Sequence, residues 1–501
     1  MDFQYIIVQA GGKGTRMQHL THNKPKALVP VNNLPIIFHL FRKYPDKKFI
    51  VIGDYKCEVL EKYLAAFAEV DYEVVNASGH TGTCAGLKQS LAILPSNQSF
   101  MLIWSDLILP EDFSVDGIPV SNYVGTSLGF ECRWKYENGI FSEERSASCG
   151  VAGLFLFEDK DILQKVPADG EFVKWLSGEK IIFDTVTLAR TKEYGLLSEY
   201  NKLPKAKCRP FNKIVVTDDY IIKEGIDEQG RQLAVRERAW YEKVRSLGFA
   251  NLPEVYATEP LKLERINGKN VYEYADLAIE QKQDILKQIV DCLQNLHACG
   301  SVAYDDLSFE EAYISKTFDR LAKVKNLVPF ANDEYITVNG RKCRNVFFVQ
   351  DELRKRLDKL KPQKFVFLHG DCTFSNIMLR NDNEPVLIDP RGYFGRTEFY
   401  GDAAYDWVKL YYSVVGNYDQ FNLKRFQLKI NENDVNLTIK SSGWEALEDY
   451  FFELLGQEVN REQIKLLHAI IWLSLTTYAW EDYDSICGAF YKGLECLEEA
   501  L

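Results

Sequence analysis

At 501 residues the chain is longer than one hydrophobic core usually organises, so two or three domains are expected. Its composition, 46% hydrophobic and 26% charged with no low-complexity tract, is that of a globular enzyme rather than a disordered chain. A formal net charge of -12 repels polyanions and leaves no basic stripe to track a phosphate backbone. Nucleic acid is therefore excluded as an expected partner, and basic residues near nucleotide-type motifs read as local phosphate contacts.

The N-terminus carries Asp2 and a short apolar run, Tyr5 to Val8, without the basic start and long apolar stretch of a signal peptide. Through the first two hundred residues short apolar runs alternate with helical patterns: Tyr5 to Val8, Phe49 to Ile52, Tyr72 to Val75, Phe100 to Trp104 and Gly153 to Phe157. That alternation predicts a mainly parallel sheet flanked by helices, whose ligands sit at the carboxyl ends of the strands. Pro204, Lys205, Lys207 and Pro210 then interrupt the pattern, which places a boundary between a domain of residues 1–207 and one of residues 208–501.

The second part opens with strands at Lys213 to Val216 and Tyr220 to Lys223 and a long helix from about Gln232 to Leu247. After Ile279 it reads as mostly helical, and its last ninety residues as helices alone. A small sheet lobe before a larger helical lobe is the order of a kinase. The most apolar late segment, His468 to Trp480, is shorter than the ~18 residues of a membrane span and reads as a buried helix. Eleven cysteines without a C-x-x-C form neither a zinc site nor a disulfide framework, so reduced thiols, a cytoplasmic location and no membrane insertion are expected. Oligomeric state is not legible.

The first strand runs into Gln9-Ala10-Gly11-Gly12-Lys13-Gly14-Thr15-Arg16, where glycines without Cβ atoms let backbone N–H groups approach phosphates. It is not a Walker A loop, because Lys13 is followed by Gly14, nor a dinucleotide fingerprint, because Met17 stands at the third glycine position. With Thr21, Lys24 to Val31 and Pro35-Ile36-Ile37 close behind, the stretch resembles the signature of sugar-phosphate nucleotidylyltransferases. The resemblance implies a Rossmann-like, GT-A-like fold in which Gly11, Gly12, Gly14 and Thr15 hold a triphosphate and Arg16 and Lys26 act in catalysis. It also implies base recognition by Gln9 and a second loop, Gly79 to Gly86, with Thr83 and Gly86 as contacts; His80 in that loop is left out of the catalytic set.

Attack of a phosphate monoester on a nucleoside triphosphate brings two polyanions together and calls for a divalent cation with hard oxygen ligands. Asp106, just past the strand Phe100 to Trp104, stands where the family has its metal aspartate, and Phe183 to Thr187 resembles the segment carrying the second, so Asp106 and Asp184 are expected to bind Mg2+. The departures are Ser105 before Asp106 and Val186 where a glycine is usual.

Farther on, His369-Gly370-Asp371-Cys372-Thr373-Phe374-Ser375-Asn376 follows an apolar strand, and Val386-Leu387-Ile388-Asp389 follows a polar turn. The spacing resembles the catalytic and metal loops of aminoglycoside phosphotransferases and choline kinases, which share the two-lobed α+β protein-kinase fold. By that resemblance Asp371 is the catalytic base, Asn376 and Asp389 are the Mg2+ ligands, and His369 orders the loop. Lys223 matches the strand lysine that contacts ATP phosphates, and Glu237 is its expected partner, with Glu242 on the same helix. Pro390-Arg391-Gly392 after Asp389 and the lack of an activation segment favour a small-molecule acceptor.

Trp407, Leu410 and Tyr411 fall at helical spacing and read mainly as core; the sharper reading is an aromatic cage for a quaternary ammonium, with Asp402 or Asp406 attracting a cation or binding hydroxyls. Together the two resemblances imply a bifunctional enzyme that phosphorylates a small alcohol or sugar with ATP and joins the product to a nucleotidyl group from CTP or another pyrimidine triphosphate. Its product would feed capsule polysaccharide, other surface glycan or lipid synthesis. A choline kinase fused to a phosphocholine cytidylyltransferase is one alternative; one catalytic domain beside a non-catalytic nucleotide-binding module is another.

Overall fold

The computed structural model describes residues 1–203, 212–225, 228–274 and 276–501. The expected boundary between residues 207 and 208, the interruption at residues 204–210 and Cys208 lie outside them. The chain divides into two compact units, Met1–Ala206 with Glu481–Tyr483, and Lys207–Trp480 with Asp484–Leu501.

In the first unit β1 (Tyr5–Gln9), β2 (Lys48–Gly53), β3 (Asp71–Asn76) and β4 (Phe100–Trp104) pair in parallel, in the order β4-β1-β2-β3. Helices α1 (Ile36–Lys43), α2 (Cys57–Phe67) and α3 (Leu87–Ile93) make the crossovers that parallel pairing requires. Ile6, Ile7 and Val8 are all fully buried, which is why β1 reads as a continuous apolar run: both faces of the sheet are covered. After the short β5 (Leu107–Ile108), β6 (Tyr123–Leu128) and β7 (Gly150–Phe157) extend the sheet, β7 lying antiparallel between β4 and β6. Next, β8 (Asp184–Ala189) runs parallel to β6, and β9 (Lys192–Glu193) turns back onto β5. Residues 135–137 and 140–142 complete the nine strands. A core of Ile7, Leu102, Phe155, Phe157, Phe172 and Phe183 fills one face and fixes the strand ends where the ligands of such sheets bind.

The second unit opens on an antiparallel sheet of β10 (Asn212–Val216), β11 (Tyr220–Gly225), β12 (Val255–Thr258) and β13 (Leu261–Glu264), ordered β10-β11-β13-β12, with helix α4 (Glu228–Ser246) after β11. Farther along come α5 (Lys316–Val324), β14 (Lys364–Phe367), β15 (Ile377–Arg380), β16 (Glu384–Leu387), α6 (Ala403–Val414) and α7 (Arg461–Ser474). The apolar segment at His468 is the end of α7 and the tight turn after it, Thr476–Ala479, within a helical core that buries Trp444, Trp472 and Tyr412.

The expectation of helices alone late in the chain fails. Tyr335–Val338, Arg341–Arg344, Phe426–Ile430 and Val435–Ile439 form a four-stranded sheet. Phe426, Leu428 and Ile430, and Val435, Leu437 and Ile439, alternate with polar residues around a turn at residues 431–434, the period-2 signature of a hairpin. Among the described residues no helix is long and apolar enough to cross a membrane.

Candidate active sites

The loop after β1 takes its shape from glycine. Gly14 has φ +61°, and a Cβ there would stand 3.0 Å from Thr21 Cγ2 and 3.1 Å from Lys26 Cβ, so only glycine lets the following turn fold back over Lys26. A Cβ on Gly11 would meet Asp54 Cβ at 2.8 Å, whereas Gly12 faces open space and Thr15 and Arg16 are exposed. Gln9 Nε2 donates to the Thr83 carbonyl at 2.6 Å, tying β1 to the second loop. The Thr83 hydroxyl accepts from the Phe172 amide at 2.8 Å, and Gly86, at φ +76°, lets α3 start against Ile52. Both residues thus serve the loop's own shape. His80 is paired at the surface with Asp169, 3.3 Å away.

At the carboxyl end of β4, Lys26 Nζ binds Asp106 Oδ2 directly, and both side chains are largely buried. Asp106 Oδ1 is buried and has no hydrogen-bond partner among the described residues. A bare buried carboxylate oxygen is costly unless a cation or donor meets it, so the chemistry of this atom suits a cation.

Asp184 does not join it. Asp184 pairs with Tyr123, Tyr123 with Leu156, and Leu156 with Met101, so it lies level with the start of β4. Strands β4, β6 and β8 share one direction, so Asp184 is exposed at the amino edge of the sheet. That is five residues, roughly 16 Å, below Asp106 along the strands, and three strands away across them. The expected Asp106–Asp184 pair is therefore corrected.

The acid that reaches Asp106 is Glu193. It lies on β9, paired with Leu107, and the next amide, Tyr194 N, donates to the Asp106 carbonyl at 2.9 Å. Arg16 Nη2 lies 3.9 Å from Glu193 Oε1. Burial first, then the Asp106 charge, pushes the Glu193 carboxyl up, against Lys26 and Arg16. A raised pKa means that the native state binds this proton more tightly than the unfolded chain, so the residue's contribution to stability falls as pH rises through its titration. Glu193→Gln is therefore expected to raise the melting temperature of the metal-free protein at pH 7.5 while lowering nucleotidyl transfer at least tenfold. Thermal melts and a pyrophosphate-release assay check the two directions together. The rule that ligands gather at carboxyl strand ends pointed past β8 to this residue.

In the second unit Lys223 on β11 pairs with Glu237 on α4, its Nζ 2.8 Å from both carboxylate oxygens, and also binds Asp389. Burial would push the Lys223 ammonium down, but Asp389 and Glu237 hold it above its ordinary value. Glu242, the other acid considered on this helix, is not the partner. Asp371 follows β14 on a loop that Asp406 holds: His369 N donates to Asp406 Oδ2 at 3.0 Å and Gly370 N to Oδ1 at 2.7 Å. Burial pushes the His369 imidazole down; its Nε2 donates to the Ile388 carbonyl at 2.9 Å and its Nδ1 accepts from Asp371 N at 3.2 Å.

Asn376 Nδ2 donates to Asp371 Oδ2 at 3.1 Å, and Ile388 N donates to the Asn376 carbonyl at 3.0 Å, so the two loops bring Asp371, Asn376 and Asp389 together. Burial would raise the Asp371 carboxyl, but Lys409, 2.9 Å away, and then Arg391 hold it below its ordinary value. Among the described residues no three His, Cys, Asp or Glu side chains are grouped to hold a metal.

Asp402 and Asp406 are not open to a ligand. Asp406 is fully buried under His369, Gly370 and His297, and Asp402 caps α6 through the Ala404 amide and accepts from the Tyr313 hydroxyl at 3.0 Å. Trp407, Leu410 and Tyr411 are 5%, 0% and 3% exposed and pack inward, which leaves no cage.

Two family models match separate stretches of the chain: a MobA-like NTP transferase domain over residues 6–115 and the phosphotransferase enzyme family over residues 212–428. Over 108 residues the chain is 32% identical to UTP–glucose-1-phosphate uridylyltransferase AglF of Haloferax volcanii, covering 20% of this chain and 43% of that protein. Over 255 residues it is 26% identical to the bifunctional protein GlmU of Methanococcus maripaludis, covering 44% of this chain and 60% of that one. Over 70 residues it is 34% identical to a probable glucose-1-phosphate cytidylyltransferase of Bacillus subtilis, covering 13% and 26%. The chain thus spans less than two thirds of the length of these relatives. Since one match contains Asp106 and the other Asp371, the protein is a MobA-like NTP transferase domain fused to a domain of the phosphotransferase enzyme family.

Proposed function

We propose that the chain carries out two reactions in series: it phosphorylates a small alcohol or sugar with ATP, then transfers a nucleotidyl group from a second triphosphate to that phosphate, releasing pyrophosphate. The observation that carries this reading is the pair of separate clusters of carboxylates and cations at strand ends. Arg16, Lys26, Asp106 and Glu193 form one, and Lys223, Glu237, Asp371, Asn376 and Asp389 the other. The domain limits of residues 1–207 and 208–501 go with it.

In the second site Asp371 stands near the attacking hydroxyl and takes its proton while Lys223 neutralises phosphate charge. Asn376, whose amide nitrogen is committed to Asp371, offers its amide oxygen to a cation together with Asp389. In the first site the glycine loop from Gly11 to Thr15 cradles a triphosphate, and Arg16 and Lys26 offset the charge of attack. Asp106, through the oxygen that Lys26 does not bind, and Glu193 would hold the cation. With so few protein ligands at either site Mg2+ fits best, because it usually keeps phosphate and water oxygens in its shell.

The donor we infer is CTP or another pyrimidine triphosphate, and the product a building block for capsule polysaccharide or another surface glycan or lipid, made in the cytoplasm where both triphosphates are available. The uridylyl- and cytidylyltransferase names of two relatives support the pyrimidine reading. The full-length protein, given ATP, each nucleoside triphosphate and a panel of sugars and polyols, should release pyrophosphate only when ATP and a pyrimidine triphosphate are both present. Release with an unphosphorylated acceptor and no ATP would overturn the order, and a domain silent in every combination would leave it as a binding module.

A further inference from the structure

The surroundings of Asp371 are strongly basic on the side of Tyr393 and Tyr405. Lys316 and Arg320 lie one turn apart on α5, so their charges share a face, an arrangement that works against the helix unless something offsets it. Arg391, on the loop after Asp389, donates from Nη1 to the Tyr405 hydroxyl at 2.8 Å and from Nη2 to the Tyr393 hydroxyl at 3.0 Å. Two phenols aim the guanidinium without neutralising it. Lys316 Nζ sits 5.6 Å and Lys409 Nζ 6.0 Å from the centre of the same Tyr405 ring, and Arg236 and Arg391 each lie 4.6 Å from the centre of Tyr393. Arg320 donates to the Ser474 carbonyl at 2.6 Å.

Lys316, Lys409, Arg236 and Arg391 thus surround two tyrosines beside Asp371, and Arg320, one turn from Lys316, lies over Tyr478. Of these five cations only Lys409 has a carboxylate partner among the described residues, and that partner is Asp371 itself. Burial, then Arg391, Arg320 and Lys409, pushes the Lys316 ammonium well down, and Arg391, Arg236 and Arg320 hold the Tyr393 phenol below its ordinary value against burial. The cation on the nucleotide side, Lys223, is already matched by Glu237 and Asp389, so the unmatched positive charge belongs to the other substrate.

We propose that the hydroxyl acceptor is itself an anion, a hydroxy carboxylate or a hydroxy phosphate, whose charged group is bound by Lys316, Arg320 and Arg391 while its hydroxyl faces Asp371. This rests on the reading of Asp371 as the base of a kinase. A quaternary ammonium acceptor such as choline would meet repulsion here, and the nearby tyrosine faces that could cage it are already taken by arginine and lysine.

The test is calorimetric titration of the full-length protein, saturated with Mg-ADP, with four small probes: glycerate, glycerol 3-phosphate, glycerol and choline. Glycerate or glycerol 3-phosphate should bind at least tenfold more tightly than glycerol and choline, and the tighter of the two names the charged group. Lys316→Met and Arg320→Met should each weaken that anion tenfold or more with Mg-ADP affinity unchanged, and Lys316→Arg should retain it. The inference is overturned if Mg-ADP binds but neither anion does, if glycerol or choline binds as tightly, or if the Met variants weaken Mg-ADP instead. Failure of Mg-ADP to bind the unaltered protein would instead sink the kinase reading beneath it.

Discussion

Asp371→Ala should lower ATP-dependent phosphorylation of the acceptor by roughly 10³-fold, within the range of a lost general base, while nucleotidyl transfer to a presupplied phosphate stays within a factor of two of the unaltered protein. The loss is chemical and electrostatic at once. Asp371 is the only carboxylate paired with Lys409 among the described residues and accepts from Asn376, so its removal strips the base and frees an ammonium beside the attacking oxygen. Asp371→Asn keeps the size and one acceptor oxygen, and should show the same rate loss with a smaller change in melting temperature. Steady-state ADP release with parallel melts separates the two effects; comparable ADP release from both variants and the unaltered protein would remove Asp371 from the chemistry.

Asp106→Asn should do the reverse, lowering pyrophosphate release by roughly 10²-fold or more while phosphorylation is retained. Asp106 holds Lys26 through one oxygen, while its other oxygen is buried without a hydrogen-bond partner among the described residues. The neutral amide cannot hold Lys26 electrostatically and is a poor ligand for a hard cation, so the apparent affinity for Mg2+ should fall along with the rate. A Mg2+ titration of the residual activity reads this directly. An Mg2+ dependence identical to that of the unaltered protein would show that Asp106 is not the ligand.

Much of this was legible in the sequence where chemistry and chain position coincide. The strands came from apolar runs that stay apolar because the sheet is covered on both faces, and Asp106 from the resemblance to nucleotidylyltransferases, which puts an aspartate just past one of them. Asp371, Asn376 and Asp389 came from the resemblance of two loops to phosphotransferase motifs, and those loops meet in the structure. Asp184 failed because likeness of a segment was placed above strand direction; the carboxyl end of the strand it begins leads to Glu193.

Tertiary gathering was the part that could not be read. Arg236, the Lys316–Arg320 pair, Arg391 and Lys409 come from separate segments of the chain and become one cluster only when α4, α5, α6 and the loop after Asp389 meet near Tyr393 and Tyr405. In the same segment Asp402 and Asp406 suggested a site for cations, whereas both are buried as caps and hydrogen-bond acceptors. The late hairpins were missed although their alternation is plain, because the helices on either side set the expectation for the whole region.

The proposed division of labour between two active centres leads to one direct experiment: mix the Asp371→Ala and Asp106→Asn variants of the whole chain with acceptor, ATP and a pyrimidine triphosphate, and follow the nucleotide-linked product. Each variant alone should make product at about a hundredth of the unaltered rate or less, and the mixture should recover synthesis after a lag while the phosphorylated intermediate accumulates and passes between molecules. A mixture as slow as its parts, with each variant having lost both partial reactions, would contradict a division of labour between the two domains.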